Sequence, residues 1–142
     1  MINTNDLKMI HGSNYNGDDN WMFYINDEDV YFFIYENKVV AEAVLFNNHF
    51  SSPDYIRIYD FQVNPKLKRK GFGRATVNKI MEYALKNNKL GISGESTYDA
   101  YEFWLNLGAE FKEDNDDNNN IDEDDNYYGD KLIPFIIKPV AI

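Results

Sequence analysis

The chain has 142 residues, a formal net charge of −10 and 16% aromatic residues. A chain this long buries about 70% of the surface it exposes when unfolded, so a single domain with its own core is expected. Cysteine is absent, which excludes disulfides, thiolate metal sites and a cysteine nucleophile. The N-terminal MINTNDLK lacks the basic and apolar stretches of a leader, and no apolar run approaches the roughly 20 residues that cross a bilayer, so a soluble cytoplasmic protein without a membrane partner is expected.

In chain order, NWMFYIN (20–26) and VYFFIYE (30–36) read as strands joined by the polar turn DED. Eight aromatics fall between Tyr15 and Tyr35, and such side chains suit packed, pleated surfaces. The turn signal ENK (36–38) leads into VVAEAVLF (39–46), giving a three-stranded antiparallel meander. After the polar loop NNHFSSPD, YIRIYDFQV (55–63) makes a fourth strand closed by Asn64 and Pro65. From Gly73 the period changes from two to about 3.6. Val77, Ile80, Met81, Ala84 and Leu85 then form one apolar stripe of a helix that ends near Asn87 and Asn88. LGIS (90–93) is a short strand. A second helix starts about Thr97, turns Tyr101, Trp104, Leu105 and Leu107 inward, and places Gly108 at its C′ position. Residues 109–111 start a strand and LIPFIIKPVAI (132–142) supplies the last. Strands first and helices alternating later imply an α/β chain with a mixed, mostly antiparallel sheet flanked by helices, and a parallel crossover between the fourth and fifth strands.

Charge is unevenly spread. Residues 113–125 hold eight acids and no base, and the rest of the chain sets sixteen acids against fourteen bases. In contrast, KLKRKGFGR (66–74) carries five basic side chains, and no acid occurs between Phe61 and Met81. This segment joins a strand to a helix, and a helix start presents unpaired N–H groups and the positive end of its dipole. Gly71 and Gly73 let the backbone approach an anion closely, while Lys66, Lys68, Arg69, Lys70 and Arg74 add charge. The pattern indicates a phosphate-type site, with a solvated turn as the plainer alternative. It is not a Walker loop, and GFGRAT lacks the third glycine of the dinucleotide fingerprint. One basic loop on an acidic chain is a weak nucleic-acid footprint, so no nucleic-acid partner is expected.

VNPKLKRKGFGRATVNKIMEYA resembles the acetyl-coenzyme-A binding motif of the GCN5-related N-acetyltransferase (GNAT) family, [QR]-x-x-G-x-[GA] after a strand ending in V-x-P. It stands here as Lys68, Arg69, Lys70, Gly71, Phe72 and Gly73. A second family motif, A-x-x-F-[YW]-x-x-x-G-[FA], is matched by Ala100, Phe103, Trp104, Gly108 and Ala109. The likeness covers about residues 30–142. It implies the GNAT acyltransferase fold and transfer of an acetyl group from acetyl-CoA, as cosubstrate, to a primary amine on a small molecule or peptide, with no metal. It further implies that the pyrophosphate sits on the turn from Lys68 to Arg74, and that pantetheine runs beside Phe61, Gln62 and Val63, with Trp104 nearby. There a bulge commonly splays the fourth strand from the fifth.

An amine attacking a thioester must shed a proton, and the oxyanion needs an N–H donor. Asp60, one residue before the pantetheine stretch, is the first candidate base by similarity to family members with an acid there; Glu95 is the second. Phe61 or Val63 would offer the oxyanion N–H. Trp104 stands where many members carry the tyrosine that protonates the thiolate, so Tyr98 or Tyr101 would serve instead, or the thiolate would leave directly. Thr97 replaces a common asparagine, and Lys68 the usual Gln or Arg. The N-terminal helical region is also short for the family, which implies an open acceptor site, a large substrate, or a homodimer whose second subunit completes the site.

DNDDNNNIDEDD (114–125) has acids and amides at the spacing of a calcium loop, but Asn119 stands where that loop needs glycine and Asp125 where it needs glutamate. A solvated loop is the simpler reading. A CoA-binding relative without catalysis and an acidic protein-interaction module are the alternatives to the transferase. Neither His11 nor His49 is marked as a ligand or base.

Overall fold

The computed structural model describes residues 2–68, 70–112 and 132–140. Seven strands form one sheet: β1 (Lys8–His11), β2 (Val30–Tyr35), β3 (Lys38–Phe46), β4 (Ile56–Val63), β5 (Ile92–Ser96), β6 (Glu110–Phe111) and β7 (Ile133–Ile137). Their spatial order is β1-β2-β3-β4-β5-β7-β6. Every neighbouring pair is antiparallel except β4 and β5, which the crossover helix α1 (Phe72–Lys86) joins in parallel. A shorter helix, α2 (Tyr101–Asn106), links β5 to β6.

The meander follows from local chemistry. Glu36 and Asn37 both adopt positive φ, at 51° and 68°, which lets a two-residue turn match the twist of β2 and β3. Along α1, Phe72, Ala75, Thr76, Val77, Ile80 and Ala84 are buried, on the stripe the periodicity predicts. They pack on Phe33, Ala41, Ala43, Ile56 and Ile92 of the sheet. Burying a side chain such as Ile80 completely contributes about 2–3 kcal/mol. The stripe is narrower than expected, however. Leu85 and, on α2, Leu105 are 45% and 44% exposed, because each lies on the solvent edge of a helix that contacts the sheet along one side only.

The opposite sheet face carries a second cluster: Met22, Val30, Phe32, Val39 and Val44, with Tyr15, Trp21 and Tyr24 packed against it. Residues 20–26 cover this face, and they are not the strand expected of them. Their backbone donors go to side-chain acceptors instead of a ladder. The carboxylate of Glu42 accepts from the N–H of Phe23 at 2.8 Å and of Tyr24 at 3.1 Å, while the indole N–H of Trp21 donates to the Val39 carbonyl at 3.0 Å. The edge beside β2 is taken by β1, which the sequence reading missed.

Three boundaries also move. β5 runs from Ile92 to Ser96, since Leu90 is exposed and its N–H donates to the Asp54 carbonyl at 2.8 Å. α2 begins at Tyr101 because Thr97 and Ala100 first close a turn, the Ala100 N–H reaching the Thr97 carbonyl at 3.2 Å. The last strand spans Ile133–Ile137. Gly108 does follow α2 with a φ of 92°. Among the described residues no α-helix precedes β2, and no helix is long and apolar enough to cross a membrane.

Candidate active site

A bulge and a short ladder shape the site. Val44 pairs with Asp60 and Leu45 with Ile58, so Tyr59 is an extra residue in β4 that bends the strand. The β4–β5 ladder contains only Ile56↔Ile92 and Arg57↔Ser93. Past that point the strands diverge, and a cleft of about 1300 Å³ opens between them, bounded by α1 and α2.

At one end lies the start of α1. Gly71 caps it at a φ of 87°, in the left-handed region that favours glycine, and no side chain caps the helix. The first intrahelical bond is Ala75 N–H to the Gly71 carbonyl at 3.1 Å, so the N–H groups of Phe72, Gly73 and Arg74 have no acceptor within the helix. A Cβ at Gly73 would lie 3.0 Å from the Phe103 ring, so glycine permits α1 and α2 to meet here. Lys68, Gly71, Gly73 and Arg74 line the cleft, and Arg74 also donates to the Asn106 carbonyl at 3.3 Å. Lys70 is exposed away from it, and Phe72 is buried with its ring edge-on to Tyr35 at 5.3 Å. Arg69 and the 113–125 segment, with its calcium-like pattern, lie outside the described residues.

Along the cleft, Phe61 and Val63 face α1. Phe61 stacks on Phe103 at 6.0 Å, and Trp104, buried, stacks on Phe135 at 4.7 Å. The Asn64 N–H donates to Val40 of β3 at 2.8 Å, and successive N–H groups along a strand alternate in direction. Those of Phe61 and Val63 therefore point towards the open cleft. Phe61's is taken by the Asp60 carboxylate at 2.9 Å, which leaves Val63's.

Asp60 and Gln62 lie on the face away from α1, opposite Val44 and Glu42. The Tyr24 hydroxyl donates to Asp60. That bond, with burial and the Asp60 charge, pushes the phenol up to about 12. Glu42 is fully buried. Desolvation raises its pKa, the two N–H bonds from Phe23 and Tyr24 pull it back, and nearby Asp60 adds to the rise. Glu95 lines the cleft and contacts Arg57 at 3.5 Å. Tyr101 stacks on Phe111 at 4.2 Å and Tyr98 is exposed; neither lines the cleft.

The structure thus gathers Asp60, Phe61, Gln62, Val63, Lys68, Gly71, Gly73, Arg74, Glu95 and Trp104 around one cleft, and leaves Lys70, Phe72 and Tyr101 off its walls. Sequence reasoning missed Tyr24, Glu42 and Arg57. A signal for Glu42 was present: VVAEAVLF is apolar at every other position, so both faces of that strand are buried and its one acid must be buried too.

The acetyltransferase (GNAT) family model matches residues 4–109. No curated protein matches the chain. Among solved structures, the IAA acetyltransferase from Bacillus cereus ATCC 14579 is 15% identical with a TM-score of 0.64, covering 94% of this chain and 98% of that one. An acetyltransferase from Bacillus subtilis, solved with CoA, is 17% identical with a TM-score of 0.57, covering 78% of this chain and 76% of that one. N-acetylglutamate synthase from Neisseria gonorrhoeae, solved with coenzyme A and N-acetyl-glutamate, is 13% identical with a TM-score of 0.63. It matches over 93% of this chain, which spans only 35% of its length. At such identities the likeness establishes a shared fold.

Proposed function

Because the chain belongs to the GNAT acetyltransferase family, we propose that it transfers the acetyl group of acetyl-CoA to a primary amine by direct attack, without a covalent enzyme intermediate. The observation that carries this reading is that one continuous cleft joins the free N–H groups at the start of α1 to the carboxylate of Asp60. The α1 end suits a pyrophosphate: three N–H groups without an acceptor among the described residues, a helix dipole, a glycine in the left-handed region, and Lys68 and Arg74 alongside.

Acetyl-CoA supplies an activated thioester; this chain supplies position, a proton acceptor and an oxyanion donor. An ammonium group entering beside Asp60 passes one proton to the carboxylate, and the neutral nitrogen attacks the thioester carbon. The Val63 N–H, aimed into the cleft, stabilises the developing oxyanion. As the intermediate collapses the C–S bond breaks, the nitrogen sheds its second proton, and the thiolate takes one proton from solvent. The balance is amide, CoA thiol and one released proton. Direct departure of the thiolate fits a site where the tyrosine position is held by Trp104, an N–H donor but not an acid near neutral pH. Asp60 is preferred over Glu95 as base because it directly precedes the Phe61–Val63 stretch along which the thioester would lie.

Isothermal titration with acetyl-CoA, with CoA and with CoA lacking its 3′-phosphate tests the proposal, followed by thiol release across a panel of amines. Saturable binding and amine-dependent thiol release are expected. Absence of heat with all three ligands would sink the coenzyme site and the transferase reading together.

A further inference from the structure

In a regular strand, Arg57 and Asp60 would point to opposite faces, since successive side chains alternate. The extra residue Tyr59 changes that. Arg57 pairs with Phe46 and Asp60 with Val44, two residues apart on β3 and on the same face, away from α1. Their partners on β3 are one two-residue repeat apart, about 6.8 Å. Both residues line the cleft. A guanidinium and a carboxylate thus stand side by side where an acceptor amine would enter.

The guanidinium is poorly matched by its own protein. Arg57 is only 16% exposed, and its sole ion-pair contact among the described residues is one Nη2 to Glu95 approach at 3.5 Å, longer than the roughly 2.7–2.9 Å of a charge-assisted bond. Its Nε is buried with no hydrogen-bond partner among the described residues. An arginine carries five N–H donors in a rigid fork that fits a carboxylate bidentately, and a buried donor left unmade costs stability. The buried Nε is closed to an incoming anion, but the Nη end of a guanidinium on the cleft wall, held only by the long Glu95 contact, can receive one.

Resting on the acetyltransferase reading above, we infer that Arg57 is a specificity residue that receives a carboxylate of the acceptor, and that the acceptor is a free amino acid. Its ammonium group addresses Asp60 while its carboxylate addresses Arg57. The short spacer between amine and carboxylate matches the short separation of the two side chains. A diamine presents a second cation to Arg57 and is disfavoured by like charge. The chemistry is otherwise unchanged: the C–N bond forms, the C–S bond breaks, and N-acetyl amino acid, CoA thiol and one proton result.

The test measures thiol release from acetyl-CoA with the protein amino acids and with their carboxamides, which keep the amine and side chain but lose the anion. At least one amino acid should exceed its carboxamide in kcat/KM by about tenfold or more, the discrimination expected when a buried charged donor is left unpaired. Arg57→Gln should bring that ratio towards one, and Arg57→Lys should retain part of it. Carboxamides used as well as acids, or a ratio unmoved in Arg57→Gln, would overturn the inference while leaving the transferase intact. If neither set is acetylated while another amine of the panel is, this inference falls and the transferase stands; if no amine is acetylated, both fail. The wild-type ratio alone decides the matter should Arg57→Gln not fold.

Discussion

Replacing Tyr24 by phenylalanine isolates one hydrogen bond. The ring keeps its packing on the second cluster, and the backbone stays fastened by Glu42 through the N–H groups of Phe23 and Tyr24. Only the donation from the hydroxyl to Asp60 is lost. The Tyr24 phenol, pushed up to about 12 mainly by that bond, sits well above the ordinary value of 10. At about 1.36 kcal/mol per pH unit the full difference would be near 2.7 kcal/mol. The side chain is partly exposed, so solvent screening brings the expected loss to about 1.5 kcal/mol, within the range for a hydrogen bond to a charged group.

The pH window follows from the same numbers. Below pH 10 the phenol is protonated in both states and the contribution is complete. Between about 10 and 12 the unfolded chain ionises first and the contribution declines; above about 12 it is gone. Urea unfolding followed by tryptophan fluorescence should show Tyr24→Phe less stable at pH 7, with the gap to wild type narrowing as pH rises through that window. Phenolate absorbance should lose a late-titrating group in the variant. A gap that is absent at pH 7, or constant through the window, would refute the assigned bond.

Asp60→Asn should lower kcat by about 10²–10⁴-fold, the usual yield of a general base, with little change in acetyl-CoA affinity; equal turnover across pH would remove Asp60 as base. Gly73→Glu should abolish acetyl-CoA binding by calorimetry, because its Cβ meets Phe103 at 3.0 Å and its charge opposes an anion at the α1 start. Circular dichroism must show the variant folded, and retained affinity would count against the phosphate turn. Glu42→Gln should cost about 1–3 kcal/mol, since one acceptor oxygen becomes an NH₂ facing the N–H of Phe23 or Tyr24. Burial raises the Glu42 carboxyl, so its stabilising protonation is complete below the ordinary value of 4.5 and lost as pH rises through the raised value. Glutamine lacks this titration, and the gap to wild type should widen on acidification; a gap that narrows would contradict it.

The α1 end of the cleft was legible because it is local. A strand end, an acid-free basic loop, two glycines and a change of period are consecutive in sequence, and their geometry follows from backbone rules that hold in any context. The cover of the opposite sheet face was not. Residues 20–26 have the aromatic content of a strand, yet the acceptor for their N–H groups is a side chain about twenty residues away. Arg57 reads as an outward strand charge until the bulge is placed at Tyr59; the only trace of it in YIRIYDFQV is that the core-facing residues pass from Ile56 and Ile58 to Phe61 and Val63, out of step by one. Leu85 and Leu105 fit a helical period but fall beyond the width of sheet available to cover them.

The attachment of the 20–26 segment has a consequence for engineering. A strand laid beside a neighbour is committed at every second residue, so its sequence and register are fixed together. This wall hangs from the sheet at two carboxylates, Glu42 and Asp60, and one indole. A segment of different sequence can therefore be grafted here if it brings two successive free N–H groups to Glu42 and a hydroxyl to Asp60. The start of α1 packs on the opposite face of the sheet from this segment. A library confined to residues 20–26 therefore varies the cover of this sheet face, and with it the partner of Asp60, while leaving the start of α1 as it is.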